Sequence, residues 1–436
     1  MRILIITHNL IPQPSSNGSA IHIWSIINAL QERGHEVHLL IYGVTEYSPV
    51  SGWKNANKEF IKHNLELRGV DVHLLAKKEL ASIQRQNSKG NSFVKLIKKF
   101  ISPEPKDFYE GPYYQQEIQE YGRLIQAEVV IAYSFESISA ACVFYGEIPI
   151  VAVTVDLDHI VRALRLPKPQ TFNLKASALN CYQKLLISRL SSVEISLLKQ
   201  CDLVFSHAAQ HSEWLRHHGI EKTVYLPVAV PDRAREFFSR EKDNNNPLRI
   251  IMVGAVNATE TSRGIRLLTK QVLPELDVRW HKTPDFELQI FGAGKVDEPT
   301  RKMLDYEWLK IMGFVEDIGK EFYNSDILLV PNPDNVGFRT RISEGFSYGC
   351  CVVTHVSNTL GMPEIRNEEN SLVCRTNQEF VSAISRCLES SDLRRRLSIA
   401  ARKTYIEELD GSKVGQKISS ALEQLAANYK TVLSQH

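Results

Sequence analysis

The first forty residues alternate between continuous apolar runs and one segment with helical spacing. The run RILIIT is typical of a strand that is buried on both faces. After the polar loop HNLIPQPSSNGSA, the segment IHIWSIINALQERG has apolar residues at helical spacing and ends at Gly34, which suits a helix C-cap. HEVHLLIYG is the next apolar run. A strand, a helix and a strand with short links predict a parallel pair joined by a crossover helix.

The same rhythm continues along the chain and restarts once. Four more apolar runs in the first half predict strands: DVHLLA, EVVIAYS, IPIVAVTVD and DLVFSHA. At residues 240–248 the composition becomes charged and rich in Asn, as expected of a linker. Six further runs then follow: LRIIMVG, ELQIFGAG, LKIMGFV, DILLVP, CCVVTH and NSLVC. The pattern predicts an α/β protein of two doubly wound, parallel-sheet, Rossmann-like domains around a cleft.

We place the domains by these changes of pattern. Residues 1–230 are predicted to form the N-terminal domain, and residues 231–247 the linker. Residues 248–410 are predicted to form the C-terminal domain, and residues 411–436 a helical tail. In such sheets ligands bind at the carboxyl ends of the strands, so the loops that follow the strands are the places to look for chemistry.

Composition and charge narrow the function classes. The chain has 436 residues, 43% of them hydrophobic, which allows sizeable cores. Its 52 Lys and Arg residues nearly balance 50 Asp and Glu residues, so no nucleic-acid partner is expected. Seven cysteines without regular spacing form neither a disulfide framework nor a zinc pattern, and no run is long enough for a membrane span. We therefore expect a cytoplasmic location.

The loop after DILLVP carries the richest set of candidate residues. A short helix is predicted to begin near Arg339 and Thr340, and its free N–H groups suit a phosphate. Gly337 allows close backbone approach, and Arg339 and Arg341 can grip phosphate oxygens in bidentate fashion. The carboxylate of Glu344 suits hydroxyl groups such as those of a ribose. The alternative is a surface ion-pair cluster at the start of a helix.

A second loop of this kind, AVNATETSRGIRLL, follows LRIIMVG. We predict that Thr261 or Ser262 caps a helix there and that Arg263 lies in its first turn. Arginine is disfavoured at the positive end of a helix unless an anion binds beside it. The alternative is a solvated side chain.

The N-terminal half offers two further candidates. Asn17, Gly18 and Ser19 stand at a helix start that is expected to face the cleft, although an ordinary capped helix would look the same. Asp156 follows a strand in TVDLDHI and forms a D-x-D pair that could hold a metal. We expect instead that Asp156 and the nearby His159 line the cleft or supply a base on the acceptor side, and we predict no metal site.

Residues 92–101, SFVKLIKKFI, are basic and amphipathic. The segment from Phe93 to Ile101 could lie on an anionic membrane surface, at the inner face of the membrane. A helix that packs by its apolar face and leaves its lysines in water is the alternative.

With these residues in view, the chain resembles the glycosyltransferases of the GT-B fold, and most closely glycosyltransferase family four. The similar segments occur in the family's order: ILIITHNLIPQPSSNGSAIHIWSIINALQERGHEVHLL, LLKQCDLVFSHAAQHSEWL, IIMVGAVNATETSRGIRLL, ELQIFGAGK, LKIMGFVEDIGKEFYNSDILLVP and GFRTRISEGFSYGCCVVTH. The resemblance implies two domains that face each other across a cleft, with the C-terminal helix returning to the N-domain.

The resemblance also implies an activity. Members of this family transfer a sugar from a nucleotide-sugar donor to a hydroxyl acceptor without a metal or other cofactor, usually with retention of the anomeric configuration. The donor binds the C-domain, and a glycan or lipid-linked acceptor binds largely the N-domain, as in polysaccharide or glycolipid biosynthesis. The alternatives are a nucleotide-sugar epimerase on the same fold and a catalytically impaired nucleotide-sugar-binding protein. No G-x-G-x-x-G follows the first strand, which argues against a dinucleotide dehydrogenase.

Positions that match the family's motifs receive roles by this resemblance. Glu344 would bind ribose hydroxyls, and Arg263 stands where a lysine usually contacts the diphosphate. The remaining expected donor contacts are Gly18, Ser19, Gly254, Phe314 beside the base, Gly337 and Phe338.

Three positions depart from the family's pattern. Val336 stands where the first glutamate of the family's pair is expected, and Ala255 stands where an arginine often follows the strand glycine. Gly18–Ser19 replaces a double glycine. Arg339 and Arg341 could supply the missing cation, and with Arg263 and Glu344 they form the predicted catalytic set.

Overall fold

The computed structural model describes residues 1–13, 18–44, 62–63, 65–66, 69–78, 102–166, 174–232, 234, 247–280 and 286–433. Asn17, the amphipathic segment 93–101 and most of the predicted linker lie outside the described residues. The chain forms two compact units. The first consists of Met1–Ala229 with Gly415–His436, and the second of Val230–Val414.

The first unit is built on a parallel sheet of seven strands. Its strands are β1 (Arg2–His8), β2 (Glu36–Val44), β3 (Asp71–Ala76), β4 (Val129–Tyr133), β5 (Ile150–Thr154), β6 (Leu203–Ser206) and β7 (Thr223–Tyr225). They lie in the order β3-β2-β1-β4-β5-β6-β7, and every neighbouring pair is parallel. Its α-helices are α1 (Gly18–Gln31), α2 (Gln115–Leu124), α3 (Ser134–Ala141), α4 (Asp158–Arg165), α5 (Leu174–Lys199) and α6 (Ala209–His217).

The second unit repeats this plan with six parallel strands. They are β8 (Leu248–Val253), β9 (Phe286–Phe291), β10 (Leu309–Gly313), β11 (Ile327–Val330), β12 (Cys351–His355) and β13 (Ser371–Cys374), in the order β10-β9-β8-β11-β12-β13. Its α-helices are α7 (Thr259–Leu267), α8 (Leu273–Trp280), α9 (Glu298–Met303), α10 (Ile318–Tyr323), α11 (Thr340–Ser347), α12 (Ser357–Gly361), α13 (Asn377–Glu389) and α14 (Ser391–Thr404).

The last helix, α15 (Gly411–Leu433), runs into the C-terminal segment that belongs to the first unit. Its Gly415 lies against α1, where an added Cβ would come within 2.1 Å of the Cβ of Ala29. The glycine therefore permits close packing of the two helices. The predicted return of the C-terminal helix to the N-domain is confirmed.

The central strands of both sheets are buried on both faces, which explains their uninterrupted apolar sequences. All residues of β4, β5 and β11 are buried. Parallel strands need helices on both sides, so such runs are the expected signature of this architecture. The prediction of two doubly wound parallel-sheet units is confirmed.

Each sheet has one point at which the strand order reverses. In the first unit it lies between β1 and β4, and in the second between β8 and β11. Ligands of open α/β sheets bind beyond the carboxyl ends of the strands at such a point. Among the residues described, no helix combines the length and apolar character needed to cross a membrane.

Candidate functional site

Two helices begin just beyond the reversal point of the second unit. Helix α7 follows β8, and α11 follows β11. Gly264 in α7 packs against Pro331, since an added Cβ would lie 3.2 Å from Pro331 Cγ. The small residue therefore brings α7 against the loop that leaves β11. The start of α7 differs from the prediction. It begins at Thr259 after Ala258, so Arg263 lies in the second turn and neither Thr261 nor Ser262 is the cap.

Arg341 lies against the backbone at the end of β8. A Cβ added to Gly254 would lie 2.7 Å from Arg341 Nη1 and 2.6 Å from Thr261 Oγ1, so only glycine leaves room there. Gly254 also has a φ of +148°, which side chains rarely adopt. Arg341 Nη1 is buried and has no hydrogen-bond partner among the described residues.

The electrostatic surroundings of Arg341 are unusual for a guanidinium. Burial, followed by the neighbouring Arg339, lowers the pKa of Arg341 to about 10, while Glu260 and Glu344 act in the opposite direction. The group remains a cation at neutral pH, but its charge is costly because the partly buried side chain shields Nη1 from water without giving it an acceptor. An anion placed beside it would relieve that cost.

Arg263 and Arg339 meet at Asp334. Arg263 Nη1 donates to Asp334 Oδ1 at 2.5 Å, and Arg339 Nη2 donates to the Asp334 carbonyl oxygen at 2.8 Å. Arg339 is buried, and its Nε donates to Asn358 Oδ1 at 2.8 Å. Hydrogen bonds to the loop after β11 therefore hold Arg263 and Arg339 in fixed positions.

Several other polar atoms at this end of the sheet are buried without a hydrogen-bond partner in the described part of the chain. They are Thr261 Oγ1, both amide atoms of Asn332, Asp334 Oδ2 and Ser343 Oγ. Native proteins leave few such atoms, and a group of them calls for an explanation such as a ligand. Asn332 is fully buried two residues beyond β11, so the site can offer an amide as well as a guanidinium to that ligand.

The remaining predicted donor residues of this unit divide into two sets. Gly337 is buried with a φ of +67°, and the partly buried Phe338 follows it directly. Glu344 lies one turn into α11, close enough to act on the charge of Arg341. Phe314 is different, because it follows the edge strand β10 and its side chain is 73% exposed. The structure therefore gathers the arginines and Glu344, whereas Phe314 is exposed at the end of the edge strand.

Two of the three positions that depart from the family's pattern lie at this same end of the sheet. Val336 is buried, at 6% exposure, so an apolar side chain fills the place of the expected first glutamate. Ala255 directly follows Gly254, and Arg341 occupies the space beside that glycine. Arg341, which was predicted to replace the cation missing at Ala255, therefore lies close to that position.

In the first unit, Gly18 and Ser19 form the start of α1, just beyond β1. The hydroxyl of Ser19 is hydrogen-bonded to that of Tyr133 at the end of β4. Because β1 and β4 flank the reversal point, Ser19 lies at that point. Burial raises the pKa of Tyr133, so its phenol stays neutral.

Asp156 and His159 follow β5, one strand further along. Asp156 Oδ1 lies 3.9 Å from His211 Nδ1, and burial, with His159 nearby, lowers the pKa of His211 to about 4. The ring of His159 contacts the buried carboxylate of Glu194 instead. Asp158 lies near Glu194 and Tyr109, so the D-x-D carboxylates have different neighbours. In the residues described, no three His, Cys, Asp or Glu side chains are grouped to hold a metal ion.

Comparison with known proteins relates the second unit to one family. Residues 247–390 match the family model Glycosyl transferases group 1. The matched segment lies within the second unit, which is therefore similar to that family. No curated protein sequence matches the chain.

Solved structures support the fold over nearly the whole length. Anabaena Alr3699/HepE in complex with UDP is 14% identical, with a TM-score of 0.62, over 97% of this chain and 100% of that one. Sucrose-phosphate synthase from Thermosynechococcus elongatus is 15% identical, with a TM-score of 0.66, over 98% and 99%. A Listeria monocytogenes protein described as a UDP-N-acetylglucosamine 2-epimerase is 11% identical, with a TM-score of 0.54, over 97% and 95%. The predicted GT-B fold is confirmed, and the family model supplies the glycosyltransferase assignment.

Within the second unit, sequence reasoning missed Asn332 and Asp334, and it gave Thr261 only a role as a helix cap. Asn332 could have been found, because a polar side chain directly after a buried strand is expected at a binding edge. Asp334 could be found only as part of PNPDN, a sequence that also suits an ordinary turn. In the first unit Glu194 was missed, since it lies inside the long helix α5.

Proposed function

We propose that the protein transfers a sugar from a nucleoside diphosphate sugar to a hydroxyl group of an acceptor. The observation that carries the proposal is the partly buried Arg341 side chain beside Gly254, whose inaccessible Nη1 atom no described residue satisfies. It lies where two helices begin, in a unit that is similar to the glycosyl transferases group 1 family. A diphosphate would supply the acceptor oxygens that this end of the sheet lacks.

In the proposed reaction the bond between the anomeric carbon and the diphosphate oxygen breaks, which leaves negative charge on the nucleoside diphosphate. Arg341 would stabilise this charge most directly, because its Nη1 atom is already shielded from water and lies beside the backbone at Gly254. Arg263 and Arg339 would add positive charge from the loop held by Asp334. These cations would do what a metal ion does elsewhere, so we propose a metal-independent transfer that needs no cofactor.

Glu344 is proposed to bind the ribose hydroxyls of the donor. Its carboxylate can only accept hydrogen bonds, and it lies near Arg341, which is proposed to bind the diphosphate. Gly337, Phe338 and Gly254 would present backbone to the sugar and diphosphate. A uridine nucleotide is the first donor to test, because HepE is known in complex with UDP.

The acceptor is proposed to be a glycan or a lipid-linked glycan that binds the first unit, near Asp156 and His159. We propose retention of the anomeric configuration from the resemblance to family four, although Val336 supplies no carboxylate at the expected position. A role in polysaccharide or glycolipid synthesis, in the cytoplasm or at the inner membrane face, remains a proposal. Contact with the membrane would depend on residues 93–101.

The proposal is tested by calorimetry with a panel of nucleoside diphosphate sugars, beginning with UDP-glucose, followed by measurement of nucleoside diphosphate release with and without glycan acceptors. We expect one donor to bind with micromolar affinity and its diphosphate to be released faster when an acceptor is present. If no donor binds and none releases its diphosphate, the proposal is wrong.

An epimerase is the second candidate, because one protein of this fold is described as a nucleotide-sugar epimerase. Product analysis separates the two reactions. A transferase yields a lengthened acceptor and a nucleoside diphosphate, whereas an epimerase converts the sugar and consumes no acceptor. Tight donor binding without either product would indicate the binding protein.

A further inference from the structure

The turn from β6 into α6 in the first unit holds two adjacent side chains whose polar atoms are shielded from water. His211 lies in the first turn of α6 and is only 2% exposed, and Gln210 directly precedes it. In the described part of the chain, neither ring nitrogen of His211 and neither amide atom of Gln210 has a hydrogen-bond partner. Four such atoms on two consecutive residues call for a ligand or for ordered water.

A third side chain at this turn, His207, is in the same state. Its Nδ1 must donate to the Leu226 carbonyl oxygen, 2.8 Å away, so Nε2 of the neutral ring is an acceptor. Nε2 is buried, and no residue that the structure describes donates to it. Burial lowers the pKa of His207 to about 4, and burial followed by His159 does the same for His211, so both rings are neutral at pH 7.

The balance of donors and acceptors at Gln210 and His211 indicates the class of ligand. A glutamine amide offers both donors and an acceptor, and a neutral imidazole offers one of each. A phosphate or a carboxylate is bound by donors, and a metal ion by acceptors. A hydroxyl group both donates and accepts. An uncharged molecule with neighbouring hydroxyl groups would therefore satisfy all of these atoms.

The start of a helix favours an anion, but the protein already places an acidic side chain beside the start of α6. Asp156, from the loop after β5, has its Oδ1 3.9 Å from His211 Nδ1. Asp156 is also one of the residues predicted to lie on the acceptor side. The orphaned atoms of Gln210 and His211 therefore lie beside the predicted acceptor residue and not at a vacant anion site.

We infer that Gln210 and His211 form a binding site for an uncharged sugar residue of the acceptor, and that they select its hydroxyl groups in preference to a phosphate or a carboxylate. The inference rests on the proposed function and narrows the acceptor to a glycan that presents a neutral sugar to the first unit. The Gln210 amide can bind two neighbouring hydroxyl groups, one through its oxygen and one through its NH₂ group. Both residues would determine specificity, and neither takes part in a bond-breaking step.

NMR of the unmodified protein with labelled histidine tests the site directly. The His211 signals, assigned with His211→Asn, are followed at constant ionic strength during titration with the methyl glycosides of glucose, galactose, mannose and N-acetylglucosamine. Inorganic phosphate and glucuronate are titrated separately. We expect at least one neutral sugar to shift the His211 signals in a saturable way, and the two anions to leave them unchanged.

Two results of this titration would overturn the inference. If no neutral sugar shifts the His211 signals, water fills the site. If phosphate or glucuronate shifts them as strongly as the neutral sugars do, the site does not select uncharged groups. Neither result depends on the folding of a variant, because both are measured on the unmodified protein.

A matched pair of variants measures the contribution of the amide. Gln210→Met keeps the length of the side chain and removes both polar atoms, and Gln116→Met makes the same change at an exposed position of α2. Affinity for the sugar that shifts His211 should fall about tenfold in Gln210→Met, because hydroxyl groups of the bound sugar lose their partners. Gln116→Met should bind that sugar as the unmodified protein does. Equal sugar affinity in a folded Gln210→Met variant would also overturn the inference.

These measurements need no donor, so they separate the sugar site from the proposed reaction. UDP affinity should be the same in both variants, since Gln210 is not among the proposed donor contacts. If a neutral sugar shifts His211 but no nucleoside diphosphate sugar binds or reacts, the proposed function is wrong and the sugar site stands. If transfer occurs and His211 does not respond to any neutral sugar, the proposed function stands and the inference is wrong.

Discussion

The two units share one strand order but carry opposite chemistry at their reversal points. In the second unit this end of the sheet holds Arg263, Arg339 and Arg341, with a buried asparagine amide. In the first unit the corresponding end, together with the neighbouring β5, holds histidines, a tyrosine and carboxylates, among them His159 and Glu194. The strand order decides where a ligand binds, and the side chains in the loops decide what kind of ligand it is.

Burial shifts the pKa values in both units, and in each it disfavours the charged form. It lowers the pKa of Arg341 to about 10 and raises the pKa values of Asp158 and Glu136 to about 6 and about 7. The second unit thus keeps a costly cation that an anion would stabilise. The first unit keeps carboxyl groups that are poised to exchange protons near neutral pH. These differences suit a diphosphate in one unit and a hydroxyl acceptor in the other.

The largest expected effect tests the role of the arginine cluster in the second unit. Arg341→Met keeps the length of the side chain and removes its charge. Transfer should fall about 10²–10³-fold, because the charge on the leaving diphosphate loses its nearest donor. The free energy of unfolding should stay the same or rise, since a partly buried guanidinium with one inaccessible, unsatisfied nitrogen is replaced by an apolar group. Calorimetry with UDP, kcat and thermal unfolding check these expectations.

The control for this variant is Arg279→Met, which removes an exposed arginine whose Nη2 lies 2.7 Å from Glu389. It changes the net charge of the same unit by the same amount, so a general electrostatic effect would appear in both variants. We expect Arg279→Met to bind UDP as the unmodified protein does. Equal UDP affinity in Arg341→Met would mean that the cluster is a structural one.

The second-largest expected effect separates the role of Glu344 from that of Arg341 in the second unit. Glu344→Ala should weaken UDP binding about tenfold or more, because it removes an acceptor of charged hydrogen bonds to the ribose. Pyrophosphate has no ribose, and the loss of a nearby negative charge should leave its affinity unchanged or increased. Calorimetry with both ligands measures the contrast. Equal weakening of both would show that Glu344 acts by positioning Arg341.

The buried carboxyl groups of the first unit give the third prediction, which concerns pH and stability. The folded-state pKa of Asp158 is about 6, above its usual 3.8, so its favourable contribution is present at low pH and is lost as pH rises through about 6. Asp158→Asn should therefore raise the free energy of unfolding by about 1–2 kcal/mol at pH 8, relative to the unmodified protein, and give no gain at pH 4.

Asp297→Asn in the second unit is the matched substitution, and it should change the free energy of unfolding in the opposite direction. Asp297 caps α9 by accepting from the Thr300 N–H at 2.9 Å, and this hydrogen bond lowers the pKa of Asp297. Its contribution is present at neutral pH and is lost as pH falls through its lowered pKa. Asp297→Asn should therefore destabilise the protein at neutral pH, and chemical denaturation at several pH values measures both variants. If both substitutions changed the free energy of unfolding in the same direction, the conclusion that the first unit holds a buried carboxyl group with a raised pKa would be contradicted.

The fold could be predicted from the sequence because each buried parallel strand is an unbroken apolar run. Ile327–Val330 is one such run, and every residue in it is buried. Arg339 and Arg341 could be identified as candidates because a strand, a loop and a helix in succession place the loop at the binding edge. These are local properties, and a single segment is enough to show them.

The residues that the sequence did not show depend on contacts between distant segments. His159 is 35 residues from Glu194, and nothing inside the helix Leu174–Lys199 distinguishes that glutamate from one in water. Arg263 lies 71 residues from Asp334. The start of α7 was misplaced because Thr259, Thr261 and Ser262 are all residue types that suit a helix start, and Ala258 is not.

The smallest expected effect concerns the edge of the second unit. Phe314 is 73% exposed, so Phe314→Ala should change the free energy of unfolding by no more than about 0.5 kcal/mol. If its ring stacks on the donor base, UDP affinity should fall by about 0.5–1 kcal/mol, or roughly two- to fivefold, while pyrophosphate affinity stays the same. Calorimetry with the two ligands separates these outcomes. An unchanged UDP affinity would remove Phe314 from the donor site and confine that site to the reversal point between β8 and β11.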